Sequence, residues 1–130
     1  MTGADVLADT NAVIAWTKQD EDLARVSVAY HRPAISLITL GELYFGALKS
    51  AKPDQTTKAI DATRAAFYLL FPGERSAQIY AEVRWSLRRK GRPIPENDLW
   101  IAALALEHDI PLLTRDAHFV EVNGLRVVSW

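Results

Sequence analysis

Four carboxylates, Asp9, Glu42, Asp98 and Asp116, stand where short apolar runs give way to polar residues. Asp9 directly follows Val6-Leu7-Ala8. Glu42 comes a few residues after Ala34-Ile35-Ser36-Leu37-Ile38. Asp116 closes Thr114-Arg115-Asp116, just past Leu112-Leu113. Asp98 lies in the first turn of a strongly apolar helical pattern. If the apolar runs are parallel strands, their carboxyl ends share one edge of a sheet, where ligands of open α/β folds bind. Carboxylates gathered within a few ångströms repel strongly unless they are protonated or bind a metal. No lysine stands at these strand ends to neutralise them. A hard divalent cation is the natural partner. Oxygen ligands without Cys or His suit Mg²⁺ or Mn²⁺ rather than Zn²⁺. Such a site activates water and neutralises charge developing on a phosphoryl group.

Each acid also has a plainer role. Asp9 could cap a helix beginning at Asn11. Asp98 could simply favour a helix dipole. Yet Ile101, Ala102 and Ala105 share its face, so an acid there is partly desolvated and needs a partner. Glu42 could be a surface acid, and Asp116 a turn residue. The four together are harder to assign to structure alone. His31 and His108 read as loop or helix-end residues; His118, two residues past Asp116, could approach a phosphate, but a structural role is expected. No Ser or Thr has an evident His/Asp partner for nucleophilic catalysis. No glycine-rich phosphate loop is present. Gly41 and Gly46 fall inside a helical pattern, where they are expected to allow close packing.

Elements that would position these residues follow from periodicity. Val6–Ala8 and Ala34–Ile38 read as strands, Phe67–Phe71 holds a third candidate, and Leu112-Leu113 and Val127-Val128 are the last two. Ala12–Trp16 reads as a short helix. From Thr39 to Ala51, Leu40, Leu43, Tyr44, Ala47 and Leu48 form a core-facing stripe. Residues 54–66 give a weaker helix, and 74–90 a longer one stopped by Gly91. Residues 96–108 are apolar nearly all round, as in a helix buried on several sides. Strands alternating with helices imply an α/β domain, a parallel sheet covered on both faces with right-handed crossovers. The strand order is left open.

Composition sets the outer limits. A chain of 130 residues fits one domain, 1–130, with a core that needs no staples. The absence of cysteine excludes disulfides and thiolate metal sites. Hydrophobic residues at 49% and charged residues at 24% describe an ordinary globule, not a disordered chain. The longest strongly apolar run, Leu99–Leu106, falls far short of the roughly 20 residues of a membrane span. The N-terminus lacks a basic region and cleavage signal, so a cytoplasmic location is expected. Net charge is −1, but Arg84, Arg88, Arg89, Lys90 and Arg92 bring five positive charges into nine residues, leaving −6 on the rest. That run either binds phosphates or is a solvated helix end.

Four motifs, in order, resemble the PIN-domain ribonucleases, specifically the VapC toxins of prokaryotic toxin–antitoxin pairs. They are Asp9-Thr10-Asn11 after the first strand; Ser36-Leu37-Ile38-Thr39-Leu40-Gly41-Glu42-Leu43; Gly91-Arg92-Pro93-Ile94-Pro95-Glu96-Asn97-Asp98-Leu99-Trp100-Ile101-Ala102-Ala103; and Leu113-Thr114-Arg115-Asp116-Ala117-His118-Phe119. A closing Leu125-Arg126-Val127 strand follows, so the resemblance spans Val6 to Trp130. It implies a three-layer α/β/α sandwich around a parallel sheet of four to five strands. It implies that Asp9, Glu42, Asp98 and Asp116 form the acidic quartet. Asp9 and Asp98 would ligate metal most directly, Asp116 would assist as a ligand or through water, and Glu42 would bind a second ion or position the attacking water. Thr10, Asn11 and Thr114 match supporting polar positions. The implied activity is Mg²⁺- or Mn²⁺-dependent endonucleolytic cleavage of RNA, with Arg84, Arg88, Arg89, Lys90 and Arg92 along the RNA backbone. The implied partners are a VapB-like antitoxin and a second copy of the chain.

Other classes remain open on the sequence. A DNA-directed PIN-like nuclease would use the same phosphodiester site. A non-catalytic binding module would keep the fold but has no need of the intact quartet. A haloacid-dehalogenase-like hydrolase wants an Asp two residues after Asp9, where Asn11 stands.

Overall fold

The computed structural model describes residues 3–130. Five parallel strands form one sheet in the order β3-β2-β1-β4-β5. They are β1 (Val6–Ala8), β2 (Pro33–Ser36), β3 (Tyr68–Leu70), β4 (Leu112–Leu113) and β5 (Val127–Val128). Six helices connect them: α1 (Thr10–Thr17), α2 (Glu21–Ser27), α3 (Leu37–Lys49), α4 (Pro53–Arg64), α5 (Glu74–Lys90) and α6 (Glu96–Glu107). A 3₁₀ turn covers Ala117–Glu121.

Alternation along the strands builds two cores. Val6, Ala8, Ile35 and Leu113 pack with Val13, Leu23, Leu43, Ala47 and Ile60, so α1 to α4 cover one face. Leu7, Ala34 and Leu112 pack with Ile79, Val83, Leu87, Ile101 and Phe119, so α5, α6 and the 3₁₀ turn cover the other. This is the expected three-layer sandwich. The near-continuous apolar run 101–105 on α6 is buried throughout, as a helix enclosed on several sides requires. Among the described residues, no helix is long and apolar enough to cross a membrane.

Several expectations are corrected. β2 stops at Ser36 rather than Ile38, because Ser36 caps α3: its Oγ accepts the Thr39 amide at 3.0 Å. Leu37 and Ile38 therefore open the helix. α1 begins at Thr10, not Asn11 or Ala12. Helix α2 was not expected; Asp20 caps it by accepting the Leu23 amide at 3.0 Å, and Leu23 anchors it in the core. Leu48 leaves the stripe and is 73% exposed. Gly41 and Gly46 are exposed, and a Cβ at either would meet open space, so neither serves close packing.

Candidate active site

The sheet order brings the four acids together. β1 is central, between β2 and β4. The chain leaving each of these three strands therefore emerges on the same edge. Asp9 follows β1, Glu42 lies in the second turn of α3 after β2, and Asp116 follows β4. Asp98 enters from the first turn of α6. Asp9, Thr10, Asn11, Glu42, Asp98 and Asp116 all line one open cleft of about 410 Å³, closed on one side by residues 95–97.

Asp9 is the most deeply set, at 2% exposure. Its Oδ1 accepts the Ala12 amide at 2.8 Å, so it does cap α1. Its Oδ2 accepts a hydrogen bond from the Thr114 hydroxyl. Capping and chemistry thus do not compete for this residue. Burial pushes the Asp9 pKa up to about 6. The bonds from Thr114 and Ala12 oppose that rise, and the nearby charges of Asp116 and Asp98 add to it. Thr114 does a second job by accepting the Asp116 amide at 3.0 Å, which sets the backbone of that acid. Across the cleft mouth, the Thr10 hydroxyl donates to Glu42 Oε1 at 2.7 Å and lies 3.3 Å from Thr39 Oγ1. Asn11 is exposed beside the same cleft.

Asp98 is half-buried, and burial raises its pKa. His118 lowers it, while Asp116 and Glu42 raise it. His118 Nε2 lies 2.9 Å from Asp98 Oδ2. Asp98, Asp116 and His118 each offer one ligand atom within 4.8 Å of the others. That grouping fits a divalent cation, because two carboxylates and an imidazole converge there and burial of Asp9 beside Asp98 and Asp116 makes its negative charge costly. His118 was expected to be structural, and the ligand set to lack histidine. The 3₁₀ turn that swings His118 back over α6 is what sequence reasoning missed. The available signal is the pair His118-Phe119: a large apolar residue that must be buried sits beside the imidazole, and Phe119 is indeed the buried residue of that turn.

The chain matches the PIN domain family over residues 6–125. Ribonuclease VapC1 of Haemophilus influenzae strain R2866 is 31% identical over 129 residues, covering 95% of this chain and 96% of that one. The chain belongs to the PIN-domain family, within its VapC group. A tRNA(fMet)-specific endonuclease VapC of Salmonella typhimurium is 28% identical over 127 residues, covering 95% and 96%. The fold superposes on VapBC2 of Rickettsia felis, bound to a promoter DNA fragment, with a TM-score of 0.90 at 26% identity, covering 96% of this chain and 98% of that one. It superposes on DNA-bound VapBC of Salmonella typhimurium with a TM-score of 0.89 at 28% identity, covering 98% of both.

This PIN domain does not gather its basic run into one patch. Arg84 and Arg88 line a separate pocket beside the acidic cleft. Lys90 turns elsewhere, donating to the Glu121 carbonyl and Asn123 Oδ1, each at 2.7 Å. Arg89 and Arg92 are exposed. Glu96 is a fifth acid on the cleft wall, accepting a hydrogen bond from Tyr80, whose hydroxyl in turn accepts from Arg84.

Proposed function

We propose that this chain is a metal-dependent endoribonuclease and the toxin of a type II toxin–antitoxin pair. The observation that carries the reading is the convergence of Asp9, Glu42, Asp98 and Asp116 on one cleft at the carboxyl edge of the sheet. The VapC relatives are ribonucleases by name, and the similar VapBC-5 of Mycobacterium tuberculosis belongs to a family of toxin–antitoxin systems.

Asp9, Asp98 and Asp116 would hold the cation, with His118 close enough to Asp98 and Asp116 to join them. Mg²⁺ or Mn²⁺ suits the carboxylate-rich set. When bound, the cation offsets charge on the scissile phosphate and lowers the pKa of the attacking water. The chain's own residues set up the rest. Thr114 holds the Asp9 carboxylate and Asp116 backbone in fixed relation, so the two acids meet a ligand without rearranging. Glu42, kept in place by Thr10, faces the cleft where it can orient or deprotonate water. No side-chain acid is needed at the leaving oxygen once its charge is offset. Asn11 supplies a polar group at the rim. Of the basic run, Arg84 and Arg88 would meet the RNA backbone beside the cleft, with exposed Arg89 and Arg92 adding charge, while Lys90 is turned away onto Glu121 and Asn123. A VapB-like antitoxin would close the cleft, and two copies of the chain would pair as a homodimer.

Purified wild-type protein should cleave single-stranded RNA when Mg²⁺ or Mn²⁺ is present and stop when EDTA is added. Asp98→Asn should be inactive yet fold normally. Wild-type cleavage rates in Asp98→Asn would reject the assignment.

A further inference from the structure

A second pocket, of about 350 Å³, abuts the acidic cleft. Its size falls in the range of small-ligand sites, roughly 300–1,000 Å³. Leu87, Pro93, Ile94 and Leu99 are its apolar lining, and Arg84 and Arg88 line it with their positive charge. Glu96 lines both this pocket and the acidic cleft, so the two are neighbours that share a wall. Asp98 and Leu99 are consecutive on α6, one on the cleft wall and the other in the pocket lining.

The two arginines are one helical turn apart on α5, which places like charges side by side at some cost to the helix. Arg84 has partial relief from Glu96, at 3.8 Å. Arg88 has no ion-pair partner among the described residues. A ligand that suits this pocket carries an anion for Arg88 and Arg84 and a flat apolar face for the apolar lining. A nucleotide has both. Arginine binds phosphate bidentately, and bases bury their faces on apolar or aromatic surfaces without regard to sequence.

We infer that this pocket receives one nucleotide of the RNA next to the scissile phosphate, its phosphate on Arg88 and Arg84 and its base on Leu87, Ile94 and Leu99. The inference rests on the nuclease reading above, since that reading puts the scissile phosphate in the adjoining cleft. The pocket would then fix which bond of a single strand lies over the acids. It separates Arg88 from a merely solvated helix end, because the cation works together with an apolar lining.

The test uses Asp98→Asn protein, in which the RNA stays intact, and fluorescein-labelled oligouridylate titrated over a range of salt. Arg88→Ala should weaken binding and lower the slope of log affinity against log salt by about 0.7, one single-strand phosphate contact. Ile94→Ala should weaken binding about tenfold with the slope unchanged, as loss of a base-stacking surface predicts. Arg75→Ala, which removes the same charge about 20 Å away along α5, should change neither. Arg88 is exposed, so its truncation leaves the core intact. An unchanged slope in Arg88→Ala overturns the inference. So does an equal loss in Arg75→Ala, which would mean a diffuse field rather than a pocket. Altered self-association of Arg88→Ala with unaltered RNA binding also overturns it, and gives the pocket to a contact between copies. Retained RNA cleavage by Asp98→Asn overturns the nuclease reading by a separate measurement.

Discussion

His118 Nε2 sits 2.9 Å from Asp98 Oδ2, joining the 3₁₀ turn after β4 to the first turn of α6. The next residue, Phe119, is fully buried in the core and anchors the turn that carries His118. Burial raises the Asp98 pKa, and His118 is the largest influence acting against that rise.

Removing the imidazole should therefore raise the Asp98 pKa further. A carboxylate must be ionised to hold a cation, so activity falls as pH drops through that pKa. In His118→Ala the acid limb of the pH–rate profile for cleavage should move to higher pH. A limb that stays put or moves lower would show that His118 does not tune Asp98.

Asp9 should weaken the metal-free fold at neutral pH. Its pKa is about 6 in the folded protein, against 3.8 ordinarily. Between these values the folded state binds more protons than the unfolded state, so stability falls as pH rises from about 4 to about 6. The full difference is on the order of 3 kcal/mol above pH 6 and vanishes below both values. Asp9→Asn should raise the Tm in EDTA at pH 7 and leave it nearly unchanged at pH 3.5, while cleavage is lost. Some of the gain is offset, because an amide has one acceptor oxygen where the carboxylate has two, and so cannot accept from both the Ala12 amide at one position and the Thr114 hydroxyl at the other. Melting curves at the two pH values decide it. A lower Tm at pH 7 would contradict the burial argument.

Cation binding should reverse that penalty. Saturation at 100 times the dissociation constant stabilises a folded protein by about 2.7 kcal/mol. Titrating Mn²⁺ into the wild-type protein should raise its Tm progressively, and EDTA should restore the starting value. Asp116→Asn should flatten the response, since Asp116 belongs to the one grouping that could share an ion among the described residues. An undiminished response in that variant would place the cation elsewhere.

Phe45 offers a grip for an inhibitory partner. It is 60% exposed on α3, three residues from Glu42, and α4 does not cover it. Lys49 Nζ lies 4.5 Å from the centre of its ring. On the same helix, Leu43 and Ala47 line, with Ile14 and Ile60, an apolar groove that also reaches Thr10 and Glu42. An antitoxin tail with an apolar anchor and a cation for the acids should lose about 1–3 kcal/mol of binding to Phe45→Ala. Glu42→Gln should weaken the same tail. Calorimetry with the wild-type fold verified in each variant measures both. Unchanged affinity in both would remove this surface from the antitoxin interface.

The local pattern alone already held β1, β4, β5 and α5 with their observed ends. Those segments are short apolar runs or amphipathic helices bounded by strong stop signals, such as the left-handed Gly91 after α5. Periodicity also named the four acids, because each follows a strand or opens a helix. The end of β2 was misplaced because Ser36-Leu37-Ile38 fits a strand by composition, and a cap bond to Thr39 decides otherwise. α2 escaped notice because a seven-residue helix with one buried residue carries almost no periodic signal.

Tertiary structure decided the rest. Strand order cannot be extracted from local pattern, and only the order β2-β1-β4 brings Asp9, Glu42 and Asp116 to one cleft. The same packing separated Lys90 from Arg84 and Arg88, though they share one helix in sequence. It also turned His118 onto Asp98 across twenty residues, while its neighbour Phe119 is buried in the core. Residue types and spacing determined which groups could do chemistry. Burial and strand order determined which of them meet, because distances between residues far apart in the chain are set by packing and not by sequence separation.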